Sequence, residues 1–178
     1  MHQELLTLAR NNIRTFLETG RDLTFVPPAD SPLHEKRGVF VTLTEHDELR
    51  GCIGSLIARD PLYKAVQEMS HAAAFEDPRF RPLRVEELDR IRIEISILSP
   101  LQLIEDWTDI RLGVDGVVVR QGFRSGVFLP QVATETGWDL PTFLSQLCRG
   151  KAGLPGDAYK NPKTEMFVFQ VEKFAENE

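Results

Sequence analysis

Cysteine is scarce in this sequence. Cys52 and Cys148 are the only two in 178 residues, far apart and never at CxxC spacing. That excludes a disulfide framework and a cysteine-built zinc site, and suits a reducing compartment. Histidine is nearly as sparse. His2, His34, His46 and His71 have no partner at metal-ligand spacing and HExxH is missing, so no metal site is expected. No apolar run is long enough to span a membrane. The opening Met1-His2-Gln3-Glu4 lacks the basic-then-apolar order of a secretion signal, so the cytoplasm is the expected location. Basic residues are outnumbered, 21 against 27 acidic, for a net charge of −6. Nucleic acid is therefore not the expected partner, because phosphate binding needs a positive footprint. Arg79, Arg81, Arg84 and the Arg120/Arg124 pair leave it only as the weakest reading. A phosphate-cradling glycine loop is also missing: neither Arg120 to Gly126 nor Arg149 to Gly153 leads into a helix N-terminus.

What remains is ordinary globular material, 42% hydrophobic and 27% charged, of a size for one domain or one domain with two lobes. Leu5, Leu6, Ala9, Ile13, Phe16 and Leu17 recur at helical spacing, which predicts a helix over 3–19 stopped by Gly20. A Pro-rich loop comes next. Residues 38–44 and 49–57 then read as two strands around the polar turn Glu45-His46-Asp47-Glu48. Asp60-Pro61 is read as the start of a helix to about residue 75, with Asp60 as its cap. Pro78 and Pro82 keep that helix from continuing. Ile91, Ile93, Ile95 and Ile97 alternate with other residues and predict a strand with the isoleucines inward. A hairpin is predicted around 117–129, a short helix to Thr136, and a helix capped by Asp139 with Leu140, Phe143, Leu144, Leu147 and Cys148 on one stripe. A loop over 150–162 and one closing strand through Phe167, Phe169 and Val171 complete the reading. Without regular βαβ alternation, the class is α+β with a largely antiparallel sheet flanked by helices.

Several motifs resemble one family. They are Gly38-Val39-Phe40-Val41-Thr42-Leu43, Leu49-Arg50-Gly51-Cys52-Ile53-Gly54, Ala74-Phe75-Glu76-Asp77-Pro78-Arg79-Phe80 and Ile93-Glu94-Ile95-Ser96-Ile97-Leu98-Ser99-Pro100. Leu129-Pro130-Gln131-Val132-Ala133, Gly137-Trp138, and Cys148 through Lys151-Ala152-Gly153-Leu154 come after them in order. Together they resemble the AMMECR family, whose prokaryotic members are the A proteins of the AmmeMemoRadiSam system. Tyr159 stands where that family often carries tryptophan. The resemblance implies a single AMMECR-type domain over 1–178, with a larger and a smaller lobe and a cleft between them. It also implies an association with a MEMO-type protein and a radical SAM-type protein. It implies an enzyme or enzyme accessory without naming substrate or reaction; a small molecule is the substrate expected here, and neither the resemblance nor the residues name a cofactor.

Within that frame Arg50, Cys52 and Glu94 are the catalytic candidates. On a strand Arg50 and Cys52 share a face at a rise of roughly 6.6 Å, near enough to favour the thiolate, and Gly54 would leave room above the sulfur. Gly51 and Gly54 are therefore candidates for substrate binding. The opposing reading has equal support. A hairpin pairing Val41 with Cys52 and Val39 with Gly54 makes Cys52 a small buried hydrophobe, and a one-residue bulge would reverse its face. Glu94 fits a general base or a solvated cross-strand ion pair. Arg79 fits a clasp for a substrate carboxylate or phosphate, while Asp77 fits a residue ordering its own turn. Gln131 and Lys151 are further substrate-binding candidates. The rival function is a non-catalytic module docking a protein partner through Phe123, Arg124 and Trp138.

Overall fold

The computed structural model describes residues 1–177. Two compact units divide the chain: Met1–Leu98 with the C-terminal stretch from Glu172, and Ser99–Val171. Each has its own four-stranded sheet, and the class is α+β.

In the first unit, helix α1 (His2–Thr19) ends on Gly20 at φ 73°, the left-handed conformation that glycine adopts without a Cβ penalty. Strands β1 (Val39–Glu45) and β2 (Glu48–Ser55) form a hairpin whose turn residues His46 and Asp47 both have positive φ. Helix α2 (Leu62–Phe75) comes next. Its N-cap is Pro61, which has no capping side chain to offer, so Asp60 is not the cap expected from the sequence. Strand β3 (Ile91–Leu98) buries all four isoleucines, as their alternation predicts. Val39, Val41, Leu43 and these isoleucines form one face of the sheet, packed with Leu5, Ala9 and Ile13 of α1 and with Val66 and Ala73 of α2. Burial of that apolar face is the main term holding the unit together. The other face is left to Phe40, Thr42, Cys52 and Glu94.

In the second unit, β4 (Gln102–Ile104) pairs antiparallel with β7 (Glu165–Phe169), which pairs with β5 (Gly116–Gln121), itself paired with β6 (Arg124–Phe128). Helices α3 (Gln131–Thr136) and α4 (Leu140–Gln146) pack on it, and Asp139 caps α4 by accepting from Thr142 N at 2.9 Å. The chain does not loop out at Gly150. A π-helical turn carries it through Ala152, and Gly153 at φ 65° ends it. Gly126 permits this close pass, since a Cβ there would sit 2.7 Å from Lys151 Cβ. Tyr159 is buried edge-on to Trp107, with centroids 5.2 Å apart.

The single closing strand expected over 167–171 is in fact two. β7 ends at Phe169, Gln170 intervenes, and β8 (Val171–Ala175) joins the other sheet beside β3. A break of one residue leaves no mark in a hydrophobic pattern.

Candidate functional site

The β1–β2 register decides which way Cys52 faces. Leu43 pairs with Gly51 but Thr44 pairs with Leu49, so Arg50 is an extra residue, a bulge in β2. Beyond it Thr42 lies opposite Cys52 and Phe40 opposite Gly54. The expected pairing of Val41 with Cys52 is off by one, and that single residue moves the sulfur from the core face to the polar one. The Thr42 hydroxyl and Cys52 thiol lie 3.2 Å apart, within hydrogen-bonding reach with either as donor. On the other side of β1, Thr42 lies opposite Glu94, which pairs with Lys173 of β8 at 3.3 Å. Thiol, hydroxyl, carboxylate and ammonium thus form one row across all four strands. Cys52 is half-buried.

The two glycines of the motif serve packing. A Cβ on Gly51 would stand 2.1 Å from the Ala73 carbonyl oxygen of α2, so only glycine lets helix and strand meet there. At Gly54 the space is filled by the Phe40 ring, whose Cγ would lie 2.2 Å from a Cβ. Gly54 thus does not leave open room above the sulfur.

β2 is an edge strand, and its outer backbone groups need partners. At Cys52 the segment after α2 supplies both. Asp77 Oδ2 accepts from Cys52 N at 3.0 Å, and Arg79 Nη2 donates to Cys52 O at 3.2 Å. Asp77 also accepts from Arg79 N, Nε and Nη2 at 3.1, 3.0 and 2.8 Å. Its side chain is 1% exposed, whereas that of Arg79 is 54% exposed. The Arg79 hydrogen bonds, with the Cys52 and Arg79 amides, hold the Asp77 carboxyl far below the ordinary carboxylate range, so it stays ionised. Arg79 is in turn held above its ordinary value, first by those bonds, with the charge of Asp77 adding.

Arg50 is elsewhere engaged. Its Nε and Nη2 donate to Glu87 at 2.9 and 3.2 Å, and the two side chains are 10% and 5% exposed. Glu87 accepts in addition from Arg84 N at 2.8 Å. The arginine that reaches Cys52, at its backbone carbonyl, is therefore Arg79. Local spacing along a flat strand points to Arg50 only because the bulge is invisible in sequence. Cys148 is fully buried and its thiol is pushed up by that burial, as befits a packing residue. His71 Nδ1 lies 2.8 Å from Asp22 Oδ1. Gln131 and Lys151 are exposed residues of the second unit, on α3 and on the π-helical turn. Among the described residues no group of three or more His, Cys, Asp or Glu side chains is placed to hold a metal ion, and no helix is long and apolar enough to cross a membrane.

Three similarities bear on identity. Protein PF1979 of Pyrococcus furiosus is 44% identical, the match covering 97% of this chain and 86% of that protein. Protein MK0488 of Methanopyrus kandleri is 45% identical over 98% of this chain and 87% of its own length. The crystal structure of uncharacterized protein PH0010 from Pyrococcus horikoshii superposes with a TM-score of 0.80 at 40% identity, covering 98% of this chain and 90% of that one. The sequence profile of the AMMECR1 family matches residues 6–174, and the chain belongs to that family.

Proposed function

We propose that this protein is an enzyme, or the accessory of one, acting on a small molecule at the polar face of the first sheet. The observation that carries this is the placement of the Cys52 thiol. The residue is half-buried, its sulfur lies 3.2 Å from the Thr42 hydroxyl, and its backbone is clamped on the open edge by Asp77 and Arg79. Cys52 serves as nucleophile or soft ligand, Glu94 as acid or base, and Arg79 as clasp for an anionic group of the substrate. Arg50 supports the strand through Glu87. The resemblance of the motifs supports work alongside a MEMO-type and a radical SAM-type protein, and the scarcity of cysteine supports a reducing cytoplasm as the setting.

Alkylation of the folded protein near neutral pH tests the reading. Cys52 is expected to be labelled while Cys148 is protected, and Cys52→Ser, with an unchanged circular dichroism spectrum, to lose the label. Equal protection of both cysteines would defeat it.

One observation favours a second reading. Phe123, at the tip of the β5–β6 hairpin, is fully exposed beside Arg124, the combination that anchors protein interfaces. A docking module would lose its partner in pull-downs on Phe123→Ala and keep it on Cys52→Ala.

A further inference from the structure

Asp77 is a buried, ionised carboxylate for which the proposed chemistry has no direct use. It sits in an arrangement that its own turn does not require. A carboxylate ordering only its turn needs the Arg79 amide. Here both oxygens are also shared between the Cys52 amide and the Nε–Nη2 edge of Arg79. That edge is fixed, and Nη2 is further tied to the Cys52 carbonyl. Asp77 and the Cys52 carbonyl take up Nε and Nη2 of the guanidinium, leaving Nη1 of this half-exposed side chain for solvent or ligand. A cation held this way loses little rotamer freedom when it binds, and its remaining Nη1 hydrogens can donate to a carboxylate or phosphate oxygen.

We infer that Asp77 is a positioning residue of the Cys52 site, holding Arg79 against the Cys52 carbonyl so that the site selects an anionic small molecule. The inference rests on the function proposed above and names the class of its ligand. Asp77 does not touch that ligand. It acts through Arg79 and through the β2 backbone.

Two alkylating probes of similar size and different charge test this: iodoacetate, which is anionic, and iodoacetamide, which is neutral. In each, the Cys52 thiolate attacks the CH2 carbon. An S–CH2 bond forms as the C–I bond breaks, and iodide leaves with the electron pair. The ratio of the two rates cancels the thiolate fraction and reports the local field. Relative to free cysteine at low ionic strength, that ratio is expected to be about three-fold or more higher in the wild type than in Arg79→Gln, and to shrink with added salt. Arg79→Lys, which keeps the charge without the fork, is expected to fall between.

Asp77→Asn separates positioning from simple charge. Removing a negative charge beside an unmoved Arg79 would raise the preference for iodoacetate. Releasing Arg79 lowers it, and a fall toward the Arg79→Gln value is the expected result. Should Asp77→Asn fail to fold, Asp77→Glu carries the same test, since it keeps the charge but is one methylene too long to hold the amide and the fork together. A wild-type or higher ratio in a folded Asp77 variant overturns the positioning role. A wild-type ratio in Arg79→Gln overturns the anionic ligand. Failure of both probes to label wild-type Cys52 defeats the proposed function itself, a separable outcome.

Discussion

Replacing Glu87 by alanine probes the least forgiving contact in the first unit. The Glu87 carboxylate accepts from Arg50 Nε at 2.9 Å, Arg50 Nη2 at 3.2 Å and Arg84 N at 2.8 Å, with Arg50 only 10% exposed. Arg50 Nη1 is buried and has no acceptor among the described residues. Without Glu87 the guanidinium stays under the surface with no counter-charge, and such breakage costs about 3–5 kcal/mol. Leucine at both positions removes the charge along with its partner and should cost far less. Urea unfolding, monitored by circular dichroism, reads the effect as a lower midpoint at constant slope. The pH dependence gives a second reading. The Arg50 hydrogen bonds lead in holding the Glu87 carboxyl below its usual range, helped by the Arg84 amide. A depressed folded-state pKa contributes stability that is complete above the unfolded value, about 4.3, and is lost as pH falls through the folded one. The gap between wild type and Glu87→Gln should therefore narrow from about pH 7 to about pH 3. A Glu87→Ala protein within about 1 kcal/mol of wild type would refute the reasoning, since a charge buried this deeply cannot lose its partner so cheaply. So would a gap that ignores pH.

The same contacts set expectations for other substitutions. Gly51→Ala puts a Cβ 2.1 Å from the Ala73 carbonyl oxygen, and its cost in thermal unfolding should reach the upper part of the overpacking range, about 3 kcal/mol. Gly122→Ala, at φ 61° with open space around it, should show only the backbone penalty of about 1–2 kcal/mol. Asp139→Ala removes the cap on Thr142 N and should lower stability by about 1 kcal/mol in urea titrations. Phe123→Ala should change the melting temperature negligibly, within about 0.5 kcal/mol, because its ring is fully exposed.

Much of this architecture is local enough to read in one dimension. The helix α1 ends where Gly20 permits a left-handed residue, β3 tracks its isoleucines, and α4 starts on Asp139, because each signal and its consequence lie within a few residues. Cys52 and Arg79 could be singled out in the same way, as residue types able to do chemistry.

Their arrangement could not. Which face Cys52 occupies depends on one extra residue at Arg50, and a bulge carries no signature in residue type. Asp77 and Glu87 reach back 25 and 37 positions to Cys52 and Arg50, a pairing that only the packed segment after α2 brings about. The split of the last strands between two sheets falls at the single residue Gln170. Sequence by itself determined the class, most elements and the chemical cast, since periodicity and caps act at short range. Tertiary structure decided register, edge pairing and which arginine reaches Cys52, since these depend on strands meeting across the sheet.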